Sequence, residues 1–415
     1  MRRGTGYSAA LAWLILATAI LPLSPGAYAQ SGSDTKAAAP PPAPDNIAAA
    51  SLEAGKEAEN RKDYAEAMRR YRVAADLGNA VAEKSVGYLY AAGLGVKQDY
   101  AEAARWFRKA GDQGNATAQL DLGVMYQNGQ GVAQDYAEAM KWYRKAADQG
   151  NAEAEYCVGA LYDDGNGVAQ DYAEAIKWYR KAADQGNVDA ERNIGLLYRH
   201  GHGLAQDYGE AMKWYRKAAD RNDAAAQVLI GLLYLDGLGV KQDYAEAARW
   251  DRKAADQGDP DGQFGIGYLY EKGEGVPQDY AQAMKWYRKA ADQGNDAAED
   301  SIGELYRQGH GVTQDYAEAM KWYRKAADQD NAGAENHIGE LYQDGLGVER
   351  DYAAAMKWYR KAADQRSALA EFNIGMLYAA GHGMPADPAQ AREWMTKAAG
   401  DGSDAAKAWL EANKG

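Results

Sequence analysis

The chain has 415 residues, 47% of them hydrophobic and 26% charged, enough apolar surface for a sizeable folded core. Its net charge is −13, or −15 without the two arginines Arg2 and Arg3, so it repels phosphate backbones, and no basic patch interleaved with aromatics argues for nucleic-acid binding. Tyr and Trp number 30 and 11 against 3 Phe, a skew that points to one copied module with aromatics in fixed slots.

Residues 1–29 have the pattern of a cleavable export signal. Arg2 and Arg3 form its charged start, Ala9 to Leu21 its apolar run, and Ala27-Tyr28-Ala29 its small-x-small cleavage site. The apolar run is short for a bilayer span, and no stable membrane insertion is expected after cleavage near Ala29. These features predict a periplasmic or secreted protein. The single Cys157 leaves no partner for an internal disulfide, and no Cys stands at the cleavage site to carry a lipid. Residues 30–44 (QSGSDTKAAAPPPAP) are rich in Pro and Ala and read as a disordered tether.

From residue 45 a repeat takes over. Tyr64, Tyr100, Tyr136 and the further tyrosines to Tyr352 recur every 36 residues without slippage. A fixed period of this size signals a solenoid. The segment 45–78 carries half of the pattern, lacks the Gly-x-Gly loop and has Arg70 where later units have Trp, as a capping unit should.

The unit 115–150 shows how one module is built. Gly114 closes the preceding helix and Asn115 can cap the next. Ala118, Leu122, Met125 and Tyr126 then fall at helical spacing, predicting helix A over about 116–128. Gly129-Gln130-Gly131-Val132 breaks it. Asp135 caps helix B, with Glu138 three residues on. Tyr136, Met140, Tyr143 and Ala147 form one apolar row, and Ala139, Trp142 and Ala146 form the row beside it. So broad a face is buried only by stacking neighbours. The Trp slot recurs from Trp106 to Trp394 and a glycine inside helix A from Gly87 to Gly375, giving nine units over 79–402. The glycine costs about 1 kcal/mol against Ala inside a helix, so its repetition predicts a close neighbour, Trp or Tyr. Residues 403–415 form a short closing helix in which Trp409 covers the last face.

The recurring Ala-x-x-x-(Ile/Leu/Val)-Gly-x-(Leu/Met)-Tyr, Gly-x-Gly-Val, Asp-Tyr-x-x-Ala and Trp-x-x-Lys-Ala-Ala resemble the SEL-one-like repeat (SLR), a relative of the tetratricopeptide repeat; 45–78 resembles a plain tetratricopeptide unit. The resemblance implies an all-α fold, a right-handed α/α superhelical solenoid with helix A on the concave side, and a binding or scaffolding role. Disulfide-rich relatives linked to β-lactam binding have cysteine pairs that this chain lacks.

Signals of chemistry are weak beside this. Tryptophans at fixed spacing with Ala at +4 read as core rather than as a sugar-stacking ladder. His202, His310 and His382 occupy the x of Gly-x-Gly and read, with His200 and His337, as separate solvated residues, not as a metal site. No nucleophile triad, zinc motif or phosphate loop occurs. No catalytic residue and no cofactor is expected. Cys157 reads as a half-buried reduced thiol, with an intermolecular disulfide as the sharper alternative.

Function is therefore sought where the repeats vary. Three slots of helix A, spaced i, i+4 and i+7, share one face. They present Leu120, Val124, Tyr156, Arg192, Val228, Leu232, Leu235, Phe264 and Tyr268 as a mainly apolar strip, followed by Asp300, Glu304, Asn336 and Glu340 as an acidic one. Variation is taken as freedom from stacking, and the face as the wall of a groove for a protein partner in the envelope. The competing reading has these side chains filling gaps between neighbouring A helices. A carbohydrate or peptidoglycan binder, a secreted factor acting on host cells, and self-association through the outer helices remain the other readings.

Overall fold

The computed structural model describes residues 43–413; the expected leader, and the tether up to residue 42, lie outside the described residues. Helices α1 (Pro44–Asn60) and α2 (Tyr64–Asp76) make a first hairpin. Nine A/B pairs follow: α3 (Ala80–Ala92) with α4 (Tyr100–Asp112), α5 (Ala116–Asn128) with α6 (Tyr136–Ala147), α7 (Ala152–Asp164) with α8 (Tyr172–Asp184), α9 (Val188–His200) with α10 (Tyr208–Asp220), α11 (Ala224–Asp236) with α12 (Tyr244–Asp256), α13 (Pro260–Lys272) with α14 (Tyr280–Ala291), α15 (Asp296–Gln308) with α16 (Tyr316–Ala327), α17 (Ala332–Asp344) with α18 (Tyr352–Asp364), and α19 (Ala368–Ala380) with α20 (Pro388–Gly400). Helix α21 (Asp404–Ala412) ends the row. Each helix packs on the one before and the one after, which makes an all-α solenoid of helix-turn-helix repeats.

Local chemistry sets each boundary. The Asn115 side chain accepts the Ala118 N–H at 2.9 Å, and that of Asp135 accepts the Ala137 and Glu138 N–H groups at 2.9 and 3.0 Å. Each such cap stabilises its helix by about 1 kcal/mol. Gly129 ends α5 in the left-handed region at φ 68° and returns its N–H to the Met125 carbonyl. Gly131, at φ 70°, lies against the Tyr100 carbonyl, so the loop is pressed onto the preceding B helix where no Cβ fits.

The core is a chain of clusters, each joining a B helix to the A helix that follows. Ala139, Met140, Tyr143, Ala146 and Ala147 of α6 meet Ala154, Cys157, Val158 and Leu161 of α7. In most hairpins the recurring A-helix glycine admits a B-helix aromatic: a Cβ on Gly123 would stand 2.5 Å from the Tyr143 ring. Of the two partners expected for that glycine, Tyr is the one that fills the slot. Polar ladders bind unit to unit outside the core. Arg180 donates to the Tyr198 hydroxyl at 3.1 Å, and the equivalent Arg–Tyr pair recurs at Arg216–Tyr234 and Arg288–Tyr306. Gln149 reaches Gln119 at 2.7 Å, and Gln365 reaches the buried Glu335 at 2.8 Å. At the C-terminal end Trp409 and Leu410 pack on Met395, Ala398 and Ala406.

Candidate functional site

The variable slots lie on the A helices, the helices expected on the inner side of the stack. Successive A helices α11 and α13 lie directly against each other. Side chains bridge other pairs: His337 of α17 meets Asp300 of α15 at 2.8 Å, and Asn373 of α19 donates to Asn336 at 2.9 Å. The outer B helices present charge instead, with Lys141 paired to Glu138 and its side chain 65% exposed.

All the apolar residues expected on the face are half-buried, but they do not stand alike. Leu120, Val124 and Tyr156 pack on the cluster of Tyr143 and Leu161. The Tyr156 ring lies 5.7 Å from Tyr179 and the Phe264 ring 5.6 Å from Tyr287, so each shows the groove one side only. Leu235 and Tyr268 pack on the cluster of Ala248, Ile266 and Leu269. Val228 and Leu232 stand outside these packed clusters. Arg192 is 7% exposed, held by Asp189 and by Asp223 at 2.5 Å, so its charge is spent inside the wall. Burial raises the Tyr156 hydroxyl well above its ordinary value.

The acidic strip is a hydrogen-bonded network. Glu304 accepts from Arg307 at 2.6 and 2.8 Å and from the Tyr323 hydroxyl at 2.8 Å. Against the cost of its burial, these bonds hold its carboxyl down at about 2. Asp300 meets His337, whose ring also packs 4.9 Å from Tyr323. Burial opposes the charged form of His337, yet Asp300 outweighs it and the imidazole titrates above its ordinary value. Glu340 accepts from the neutral Asn336 at 2.8 Å; Asn336 itself is buried. His337, grouped in the sequence with the loop histidines, thus belongs to the groove wall on α17. Its helical register was the signal that could have found it.

The structure corrects the premise that variable slots are free of stacking. The i+7 slot serves the buried aromatic of its own hairpin. Gln127 accepts from the Tyr143 hydroxyl at 2.9 Å, Asp163 from Tyr179 at 3.0 Å, Glu271 from Tyr287 at 2.8 Å and Gln343 from Tyr359 at 3.1 Å. Where the core side chain has no hydroxyl the slot turns apolar: Ala91 beside Phe107, Ala379 beside Met395. Leu235 follows the same rule, because its hairpin carries Asp251 in the aromatic position. That substitution, Trp-Asp-Arg for Trp-Tyr-Arg, was readable at 250–252.

Other expectations shift too. Cys157 is 2% exposed rather than half-buried, and burial raises its thiol well above the ordinary range. A disulfide partner cannot reach it in the folded chain. Trp142 and Trp286 are buried, and the lysine one turn on covers the ring, Lys145 lying 3.7 Å from the Trp142 centroid. The tryptophans therefore offer no stacking ladder. His202 and His382 are exposed and His310 half-buried, and each also stacks on a tyrosine, Tyr172, Tyr352 and Tyr280 respectively, at 4.6–4.8 Å. Among the described residues no three His, Cys, Asp or Glu gather as a metal site, and no helix is long and apolar enough to cross a membrane.

Comparison with known proteins places this architecture. The family model described as "Sel1 repeat" matches nine times, over 80–115, 116–151, 152–187, 188–223, 224–259, 260–295, 297–331, 332–367 and 368–403. Among solved structures the chain is similar to c5321, described as a protective antigen present in uropathogenic Escherichia coli strains and displaying an SLR fold. Identity is 39% over 88% of this chain and 79% of that one, with a TM-score of 0.68. A Sel1 repeat protein from Oxalobacter formigenes is 35% identical over 74% of this chain and 90% of its own, with a TM-score of 0.56. Comparison with curated proteins returns no match.

Proposed function

The chain belongs to the Sel1 repeat family, whose members generally mediate protein–protein interactions, and from that premise we propose a non-catalytic adaptor of the bacterial envelope that holds a partner segment in its inner groove. The observation that carries the reading is the position of Val228 and Leu232. These two half-buried apolar side chains on α11, with the aromatic side chains of the neighbouring A helices, form the apolar area that a partner segment would cover. Val228 and Leu232 sit between Tyr156 on one side and Phe264 and Tyr268 on the other, with Leu196 and the paired Arg192 in the unit between.

The partner segment is apolar where it meets residues 120–268 and basic where it meets Glu340, since Asp300 and Glu304 are already engaged by His337 and Arg307. The Glu340 side chain is bonded to the neutral Asn336 amide rather than paired with a cation. Export of the chain is supported by the leader-like residues 1–29 and by the similarity to a protein described as a protective antigen. An in-cell photocrosslink tests the reading, with the probe at Leu232 and a control at the outward Lys141. A discrete adduct from the groove probe alone is expected, and mass spectrometry would name the partner. Equal adducts from both positions, or none, would demote the groove to packing and favour self-association or a spacer role.

A further inference from the structure

The step from α12 to α13 is built unlike the others. In eight hairpins the slot facing the recurring glycine holds Phe, Tyr or Met; in the fifth it holds Asp251, 5% exposed. Its carboxylate lies against Gly231 of α11 on one side. On the other, a Cβ on Gly265 of α13 would be 2.6 Å from an Asp251 oxygen. Gly262 stands where every other unit has Ala, and a Cβ there would fall 2.5 Å from the Ala254 Cβ. A small acidic side chain and two glycines thus let α13 settle deeper onto α11 and α12 than any other A helix does onto its predecessors.

The outer face shows the same break. Arg252 pairs with Asp256 at 3.0 Å instead of continuing the Arg–Tyr ladder. A cleft of about 530 Å³ opens there between Arg249, Arg252, Ile266, Tyr270 and Val276.

The surroundings of Asp251 decide its charge. The cluster around it is Ala247, Ala248, Ala255, Ile266, Leu269 and Trp286, with Leu235, Tyr234 and Tyr268 at its margin. From α13, Glu271 is engaged by Tyr287 and Lys272. The cations of α12 itself, Arg249, Arg252 and Lys253, are exposed. Asp259, the cap of α13, is the one charged group whose field reaches the carboxyl, and it repels. Burial first and Asp259 second push the Asp251 carboxyl up to about 8.

We propose that Asp251 makes the α12–α13 step a proton-controlled joint, closed while the carboxyl is neutral and loosened when it ionises. The neutral acid can sit between two glycines; the carboxylate must draw in water and separate the helices that bury it. The joint divides Val228 and Leu232 from Phe264 and Tyr268, so its opening turns one half of the inner face against the other. This inference stands whether or not the groove takes a partner.

Spin labels at Lys213→Cys on α10 and Lys285→Cys on α14, in the mature chain with Cys157→Ala, read the distance across the joint at about pH 6 and about pH 10, either side of the carboxyl's ionisation. The expected result is a narrow distance distribution at the lower pH that shifts or broadens at the higher one, and one unmoved by pH in Asp251→Asn. Asp251→Leu serves as a second uncharged variant. A native chain whose distribution ignores pH, or uncharged variants that broaden as it does, would overturn the joint.

Discussion

Gly123 and Tyr143 show how one pair of residues governs a whole repeat. The glycine is retained inside a helix because the ring occupies the space of its missing side chain. The ring is buried completely, and its hydroxyl is served by Gln127 on the helix that carries the glycine. The two halves of this arrangement can be separated. Tyr143→Phe removes one hydrogen bond whose acceptor can still reach solvent, and should cost about 0.5–1.5 kcal/mol. Gly123→Ala places a methyl group against a ring that packing holds from behind, and should cost about 1–3 kcal/mol. Urea unfolding of the two variants should therefore rank Gly123→Ala as the more damaging. A smaller loss for Gly123→Ala would mean that the ring has room to move, and that the recurring glycine answers some other demand. The same pairing explains why the i+7 slot varies. In seven of the nine units it follows the side chain it serves, with Gln, Asp or Glu beside a Tyr hydroxyl and Ala or Leu elsewhere; Arg199 and Arg307 depart from this, and Tyr323 turns to Glu304 instead.

At the scale of the element, helix positions, caps and the repeat number were legible in the sequence. Asn115, Asp135 and Gly129 are local signals, and a helix boundary depends on few residues beyond its own turn. Helix α5 begins and ends where its pattern predicts. The inner face was legible only in part. Its residues could be placed on one side of helix A by spacing, but spacing does not tell whether a side chain opens to solvent or leans on the next hairpin. Arg192 is the clearest case: its neutralising partner Asp223 is the cap of an A helix one unit away, and nothing local announces the pair. Helix α21 carries a prediction of its own, since it supplies Ala406, Trp409 and Leu410 to a cluster with Met395 and Ala398. Deletion of residues 404–415 should expose that cluster while leaving the earlier units paired. Hydrogen exchange should then show α19 and α20 losing protection, with α5 to α10 unchanged. Loss of protection along the whole stack would show instead that the solenoid folds as one cooperative unit.

At the scale of the molecule, the inner face carries two kinds of surface in sequence, and they should act on different parts of a binding reaction. Leu232 and Tyr268 lie in the apolar stretch, where burial against a partner slows departure. Glu340 lies in the acidic stretch, where a charge at some distance speeds encounter. Once a partner is in hand, Leu232→Asp together with Tyr268→Asp should weaken binding at least tenfold through a faster off-rate, since each removes the transfer of an apolar side chain worth about 1.5–3 kcal/mol. Glu340→Lys should act chiefly on the on-rate, and its effect should shrink as salt shortens the Debye length from about 10 Å at 0.1 M to about 3 Å at 1 M. Far-ultraviolet circular dichroism must match the native chain in each case, because both sites are half-open and neither lies among the fully buried residues of the core. Surface plasmon resonance at two ionic strengths separates the two effects. If all three substitutions leave both rates untouched, the partner meets another face, and the outer B helices with their repeated Lys–Glu pairs become the surface to probe.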